Sequence, residues 1–335
     1  MSARIVEALV DVLFVVTPRS LLLDVAGPAE AFRLANRHLA RSGAAPRFGL
    51  RYTAANAETE SSVGLQLAAL EPLPAQLDSP SWLVLVGQPD EVRARADKAM
   101  LATVRWLNRT MRPLLLADAS PHRLVTICSG TLLAARAGLL GTRRCTTHHE
   151  LLAELRALAP QAQVVDNRVF VLDGALASSA GVTAGIDLSL HLIATTCGDA
   201  IAAAVAKDMV VYLRRTPNDP ELSPMLAHRH HLHPAVHRVQ DAVSANPNGD
   251  WDMAALSKAG HVTQRHLLRL FGEHAGVSPL HYLEKIRLER ARLSLQHGAS
   301  VTRAAEAAGF SSDLQLRRAW GRHWGGSPRD AAGPR

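Results

Sequence analysis

Cys128 has the most pointed surroundings in the sequence. It follows a short apolar run, Leu124–Ile127, and precedes Ser129, Gly130 and a helix-forming stretch, Thr131–Ala137. A residue at a sharp strand-to-helix turn stands above the end of its sheet, beside a helix N-terminus. That position lowers a thiol's pKa and suits a nucleophile. It is also the end of an open α/β sheet at which small ligands bind. Two further groups carry chemistry. Gln264, Arg265 and Arg269 lie on one expected helix, and Asp313, Gln315, Arg317 and Arg318 on another. Arg and Gln make bidentate contacts to guanine and adenine edges, so these residues are candidates for reading DNA. Lys258, Arg303 and Arg317 suit phosphates, contacts that orient a protein without reading sequence. The run His228-Arg229-His230-His231-Leu232-His233 is dense enough for adventitious metal, but no cysteine or ordered ligand set accompanies it. No metal and no cofactor are expected.

The DNA-reading candidates sit in a pattern written twice, 49 positions apart. Gly260 pairs with Gly309, Thr263 with Ser312, Leu267 with Leu316, and Phe271 with Trp320. Gly276 pairs with Gly325, and Ser278-Pro279 with Ser327-Pro328. A fixed offset over turn, cap and core positions marks a repeated unit. Each copy reads as a helix-turn-helix. Gly260 is expected to break the first helix, because glycine tolerates the left-handed backbone of a tight turn. Thr263 then caps the next helix. Leu267, Leu270 and Phe271, three and four apart, share its buried face, and Leu316 and Trp320 do the same in the second copy. Between the copies, Ser278-Pro279 opens a helix to about Gly298. Such a rod is about 30 Å long. It would let two reading helices enter successive major grooves, about 34 Å apart.

This stretch resembles the AraC-type DNA-binding domain. The resemblance is carried by R-H-L-L-R-L-F (Arg265–Phe271), G-V-S-P-L-H-Y-L (Gly276–Leu283), R-L-E-R-A-R (Arg287–Arg292) and A-A-G-F-S-S (Ala307–Ser312). Leu316 and Trp320 stand where that family usually carries phenylalanines.

Composition bounds the rest. The chain has 335 residues, 47% hydrophobic and 20% charged, enough for two domains with real cores. Net charge is +7, and residues from Val236 onward hold 14 Lys/Arg against 9 Asp/Glu, so an excess of five sits beside the paired helices. Excess positive charge favours a polyanion, with affinity that falls steeply with salt. Three cysteines, Cys128, Cys145 and Cys197, make no disulfide framework and fit a reducing compartment. Cys145 and Cys197 read as packing residues. The apolar run Ala8–Val16 is interrupted by Asp11 and reads as a first strand, not a signal peptide. No stretch is long enough to cross a membrane. The expected location is the cytoplasm, at the nucleoid.

Before the repeat, strands alternate with helices. Strands are expected at Ala8–Val16, Arg47–Ala54, Trp82–Val86 and Leu124–Ile127, with a short strand or hairpin in Ser61–Leu67. Helices are expected from Asp24 to Arg41, with Gly27-Pro28 in the first turn, and over Asp97–Asn108, Thr131–Ala137 and Glu150–Leu158. A hairpin of Gln163–Val165 with Val169–Leu172 follows, then helices over Ala184–Thr195 and Asp199–Leu213. The alternation argues for a parallel sheet covered on both faces. Arg214–Pro234, with four prolines, breaks all periodicity and reads as a linker. The expected division is residues 1–213, a linker at 214–235, and residues 236–335.

The first part resembles the PfpI-like, class I glutamine-amidotransferase-like proteins, and within them the sensor half of GlxA-type AraC regulators. The motifs are L-L-D-V-A-G-P (Leu22–Pro28), V-L-V-G (Val84–Gly87), I-C-S-G-T-L-L-A-A-R-A-G-L-L (Ile127–Leu140), T-T-H (Thr146–His148) and S-A-G-V-T-A-G-I-D-L (Ser179–Leu188). The resemblance implies a flavodoxin-like α/β sandwich that commonly dimerises. It places Asp24, Cys128 and His148 around one pocket, with Gly87 and Gln88 opposite the elbow and Ser129 beside it. PfpI-type hydrolases carry a histidine directly after the cysteine, where this chain has Ser129. Gln88 replaces a glycine and narrows the loop. The expectation is therefore a transcriptional regulator that binds double-stranded promoter DNA as a homodimer and senses a small-molecule effector. A cysteine-dependent hydrolase or amidase fused to a DNA-binding domain is the alternative, and a pure dimerisation scaffold a third reading of the first domain.

Overall fold

The computed structural model describes residues 9–77, 79–90, 97–117, 120–211, 215, 217, 228–229, 231–296 and 298–331. The chain divides into two compact units, Met1–Glu221 and Leu222–Arg335.

The first unit runs β1 (Val10–Val15), α1 (Leu22–Arg41), β2 (Phe48–Ala54), β3 (Thr59–Glu60), β4 (Gln66–Leu67), β5 (Glu71–Pro72) and β6 (Ser81–Leu85). Then come α2 (Lys98–Trp106), a π-helical turn (Leu107–Met111), α3 (Arg112–Leu116), β7 (Arg123–Ile127) and α4 (Gly130–Arg136). They are followed by β8 (Arg144–Cys145), α5 (Leu152–Leu158), β9 (Gln163–Val164), β10 (Phe170–Asp173), β11 (Leu176–Ser179), α6 (Val182–Cys197) and α7 (Asp199–Asp208). The main sheet has the order β10-β11-β7-β6-β1-β2-β5. All its pairings are parallel except β10 with β11.

The strands are buried on both faces, so successive side chains enter opposite cores. Val12, Phe14, Val84, Val125 and Ile127 pack with α1, α6 and α7. Leu13, Val15, Leu83, Leu85 and Leu124 pack with the α2–α3 segment, α4 and α5. This is the parallel sheet covered on both faces that the alternation predicts, and the flavodoxin-like sandwich that the resemblance implies.

Several local expectations are corrected. α1 starts at Leu22, so Pro28 lies inside the helix and not in its first turn. The helix expected to end at Asn108 passes into a π-helical turn and continues to Leu116. The widened turn immediately precedes Pro113, which has no N–H for the ladder and crowds the turn before it. Gln163–Val164 does not form a hairpin with the next strand. It pairs in parallel with Arg144–Cys145, outside the main sheet. The hairpin is β10–β11, turned at Gly174 with φ +58°, and it supplies the antiparallel edge. Residue 8, the end of the expected helix at 212–213 and most of 214–227 lie outside the described residues.

The second unit contains α8 (Pro234–Ala245), α9 (Met253–Gly260), α10 (Gln264–Ala275), α11 (Pro279–Gln296), α12 (Val301–Ala308) and α13 (Asp313–His323). It has two cores. Leu256, Leu267, Leu270 and Phe271 pack with Val236 and Val239 of α8 and with Tyr282, Leu283 and Ile286 of α11. Ala304, Ala305, Ala308, Leu316 and Trp320 pack with Leu288, Ala291 and Leu295, farther along α11. The rod that joins the copies is thus the shared wall of both, about 27 Å long at 1.5 Å per residue.

The repeat holds, with one refinement. Thr263 and Ser312 each cap the following helix by accepting from the backbone N–H three residues on. The first helices, however, are related by 48 positions: Asp252 and Ser300 are their side-chain caps. His261 and Gly309 are their left-handed stop residues, with φ of +54° and +83°. One extra residue therefore sits in the second turn. Gly260 is not the left-handed residue that its pairing implies. It is the last residue of α9, and a Cβ there would lie 3.1 Å from Val239 Cγ2, so packing against α8 accounts for it.

Gly309 has a second constraint. A Cβ would come within 2.6 Å of Asn248 Cα, 3.0 Å of Arg287 Nε and 3.0 Å of the Pro247 carbonyl oxygen. Arg287 itself donates from Nε to the Pro247 carbonyl at 2.9 Å and from its Nη2 to the Gly249 carbonyl at 2.8 Å. Backbone strain and overlap together predict that Gly309→Ala destabilises this unit by about 2–3 kcal/mol. Chemical denaturation of the full chain should show the loss in the transition of the second unit, with that of the first unchanged.

Candidate ligand pocket and nucleic-acid interface

Of the residues expected around one pocket, Asp24 follows β1, Gly87 and Gln88 follow β6, and Cys128 and Ser129 follow β7, all at the carboxyl ends of the parallel strands. Cys128 follows β7 directly and holds φ +53°, a left-handed conformation that a non-glycine residue adopts at a cost. The elbow is enforced behind it. A Cβ at Gly130 would lie 2.2 Å from the Leu85 carbonyl oxygen, so α4 starts hard against β6. The Cys128 N–H donates to the Ser179 carbonyl at 3.1 Å. Its carbonyl accepts from Thr147 Oγ1 at 2.8 Å.

Asp24, in the first turn of α1, is fully buried. Its Oδ2 accepts from the Gly87 N–H at 2.9 Å, and its Oδ1 has no hydrogen-bond partner. Gly87 separates the carboxylate from the thiol. A Cβ on Gly87 would lie 2.7 Å from Asp24 Oδ2 and 3.1 Å from Cys128 Cβ. Asp24, Gly87 and Cys128 are therefore brought together as expected. Burial pushes the Asp24 carboxyl up to about 7, against the smaller opposing effect of the Gly87 hydrogen bond.

Gln88 and Ser129 have a different job. The Gln88 N–H donates to Ser129 Oγ at 2.7 Å, and that hydroxyl donates to the Gln88 carbonyl at 3.0 Å. The Gln88 side-chain amide donates to the Pro18 carbonyl at 2.6 Å. Both side chains tie loops together. Ser129, directly after Cys128, has its hydroxyl committed to the Gln88 backbone. His148 is partly exposed and lies 3.7 Å, Nδ1 to Oε2, from the exposed carboxylate of Glu150. It is placed by Thr147 and by Thr146, whose carbonyl accepts from Thr131 Oγ1 at 2.9 Å. A Cβ on Gly181 would lie 3.8 Å from His148 Cδ2, so the entry to α6 borders the same place. Cys145 is buried and pushed up to about 11, first by burial and then by the Asp173 charge, which leaves it a packing thiol.

One buried ion pair lies outside the expected site residues. Asp187 of α6 is buried and receives Arg215: backbone N–H to Oδ1 at 3.0 Å and Nε to Oδ2 at 2.8 Å. Arg215 Nη2 also donates to Thr183 Oγ1 at 3.0 Å. Asp187 and Thr183 lie inside the motif Ser179–Leu188. The available signal was Asp187 as the one acid in a helix that holds no Glu, Lys or Arg.

In the second unit, Gln264, Arg265 and Arg269 are exposed on α10. Arg269 pairs with Glu273 at 2.8 Å. On α13, Gln315 and Arg318 are exposed, while Asp313 and Arg317 are half-buried and paired at 3.6 Å. Gln315 is partly committed: its Oε1 accepts from the Ser311 N–H at 2.8 Å and Oγ at 3.0 Å. Lys258 and Arg303 are exposed. His228 is buried, with Nδ1 2.8 Å from the Ala275 carbonyl. Among the described residues no cluster of three or more His, Cys, Asp or Glu could hold a metal ion. No described helix is long and apolar enough to cross a membrane.

These features define an α/β unit joined in sequence to a double helix-turn-helix unit. Residues 10–195 match the DJ-1/PfpI family model, and the chain belongs to that family. Residues 256–332 match a helix-turn-helix domain model. The chain is 33% identical over 214 residues to the HTH-type transcriptional regulator GbdR of Pseudomonas aeruginosa, covering 62% of this chain and 57% of that one. It therefore spans little more than half the length of that relative. It is 29% identical over 322 residues to the HTH-type transcriptional regulator CdhR of Pseudomonas aeruginosa, covering 95% and 90%. It is 32% identical to the HTH-type transcriptional regulator GlxA of Rhizobium meliloti, covering 62% and 64%.

The Asp24 environment yields a test. A carboxyl raised in the folded state binds its proton more tightly there, so folding stability falls as pH rises from about 4 to about 7 and stays low above. Asp24→Asn should remove that slope and raise the melting temperature at pH 8 by at least about 3 °C, measured by calorimetry. An unchanged slope would mean that Asp24 is ionised throughout.

Proposed function

We infer that the chain is a sequence-specific, DNA-binding transcriptional regulator whose α/β unit senses a small metabolite. One observation carries the reading: two helices, α10 and α13, are capped alike, rest on separate cores and turn a polar, arginine-bearing face to solvent. We assign Gln264, Arg265, Arg269 and Arg318 to base edges. Lys258, Arg303 and Arg317 serve phosphates, and Gln315 and Asp313 support the head of α13. Residues 1–213 act as sensor and dimerisation domain, 214–235 as connection and 236–335 as the DNA-binding domain. The site of action is the cytoplasmic nucleoid, and the working form is a homodimer.

The effector fits among Asp24, Gly87, Cys128 and His148. The unpartnered Asp24 Oδ1 supports a ligand that donates a hydrogen bond there. The hydrolase alternative is disfavoured by Ser129, whose hydroxyl is spent on Gln88. We take Arg215 as the output of the sensor. Its partners Asp187 and Thr183 are on the helix whose entry borders His148, so a ligand that shifts α6 moves the start of the connection. A ligand acts only through such a difference between two arrangements.

The test uses the full chain on duplexes selected from a random library. Arg269→Ala should weaken binding to the selected site by about 1–3 kcal/mol. Affinity should also fall steeply with salt. Wild-type affinity in a folded Arg269→Ala variant would refute the assignment. Cys128→Ala should leave DNA affinity of the free protein unchanged and abolish the thermal shift given by a metabolite identified in a screen of the wild type. Arg215→Ala should keep that thermal shift but uncouple it from DNA affinity, and a retained coupling would exclude Arg215 as the output.

A further inference from the structure

The two reading helices carry the same outward line with one change of chemistry. On α10 the buried face is Leu267, Leu270, Phe271 and Ala275. Opposite it stand Arg265, Arg269 and Gly272, spaced at i, i+4 and i+7 and all exposed. On α13 the buried face is Leu316, Ala319 and Trp320. Opposite it, 49 positions on from the first line, stand Leu314, Arg318 and Gly321, again all exposed. The arginine and the glycine recur. The leading residue is Arg265 in one head and Leu314 in the other, where 53% of the leucine is exposed.

Single exposed leucines are ordinary. This one occupies the second position of a reading helix, on the face turned most directly from the core, in register with an arginine. Its neighbour Gln315 is held by Ser311, and Asp313 by Arg317, so neither extends in its place. The glycines supply an independent observation. Gly272 and Gly321 sit inside helices, where glycine costs stability. A Cβ at either would meet nothing within 4 Å. The chain itself gives no reason for glycine there. A partner that approaches the helix backbone does.

We propose that the heads read different bases at equivalent positions: Arg265 reads guanine, and Leu314 reads the 5-methyl group of thymine. Arg269 and Arg318 make the same guanine contact in both heads, and Gly272 and Gly321 clear the helices for close approach to the duplex. The proposal rests on the DNA-reading function above. In the major groove guanine offers two acceptors to an arginine fork, and thymine alone among the four bases offers a methyl group to an apolar side chain. The site is then two unlike half-sites, not a direct repeat.

The experiment replaces each thymine of the library-selected duplex, one at a time, by uracil, which removes only the methyl group. Full-chain wild type should lose about three- to tenfold in affinity at one thymine, the value of burying a methyl group. In Leu314→Ala that position should become indifferent to uracil, and in Leu314→Arg selection should shift from thymine to guanine there. Gly321→Ala should raise the melting temperature of the chain yet weaken binding. Failure of the wild type to select any sequence would overturn the DNA-reading function itself. A selected site with no methyl-sensitive thymine, or equal sensitivity in wild type and Leu314→Ala, would overturn this assignment alone. Undiminished binding by a stabilised Gly321→Ala would remove the role of the glycines.

Discussion

The register between the two reading heads depends on one crowded junction. Arg287 of the shared rod clamps the carbonyls of Pro247 and Gly249, in the loop that leads into the first head. The backbone of the same loop closes on Gly309, the turn residue of the second head. Rod, first loop and second turn therefore meet within contact distance, and only a residue without a side chain fits between them. The junction thus adds a direct contact between the two heads to the separate cores that each shares with α11.

The α/β unit uses the same device for another end. Gly130 lets α4 press against β6, which lifts Cys128 into its left-handed elbow, and Gly87 lets Asp24 and Cys128 face each other across one backbone unit. Beside Cys128 the Ser129 hydroxyl accepts from and donates to Gln88, so the loops after β6 and β7 are tied together there.

Much of this was legible in the sequence because it is periodic. The repeat, the caps Thr263 and Ser312, the inward residues Leu267, Phe271, Leu316 and Trp320, and the strand–Cys128–helix elbow all follow from spacing and residue type. What escaped depends on partners far away in the chain. Gly260 and Gly309 look equivalent by their shared neighbours, yet one is packed against α8 and the other holds a turn, because the second turn has one residue more than the first. The pairing of Gln163–Val164 with Arg144–Cys145 is non-local and weak in pattern, and the Asp173-Gly174 turn was the better hairpin signal. Arg215 was hidden by its setting: in a proline-rich stretch, an arginine reads as solvated filler until its buried acid is seen.

The buried acid of the pocket has the last consequence. Asp24 lies near the point at which it is half-protonated at neutral pH, with one oxygen committed to Gly87 and the other waiting. A cationic ligand donating to Oδ1 would hold the carboxylate ionised and release the proton that the neutral acid carries. A neutral ligand with both donor and acceptor would pair with the protonated acid and release none. Proton release on binding, as a function of buffer ionisation heat, therefore reports the charge of the effector before its identity is known. The same environment discriminates against anions, which would meet the carboxyl oxygens with no donor except a proton. The charge that a group at Oδ1 could carry would thus be set by the desolvation of one carboxyl group, Asp24.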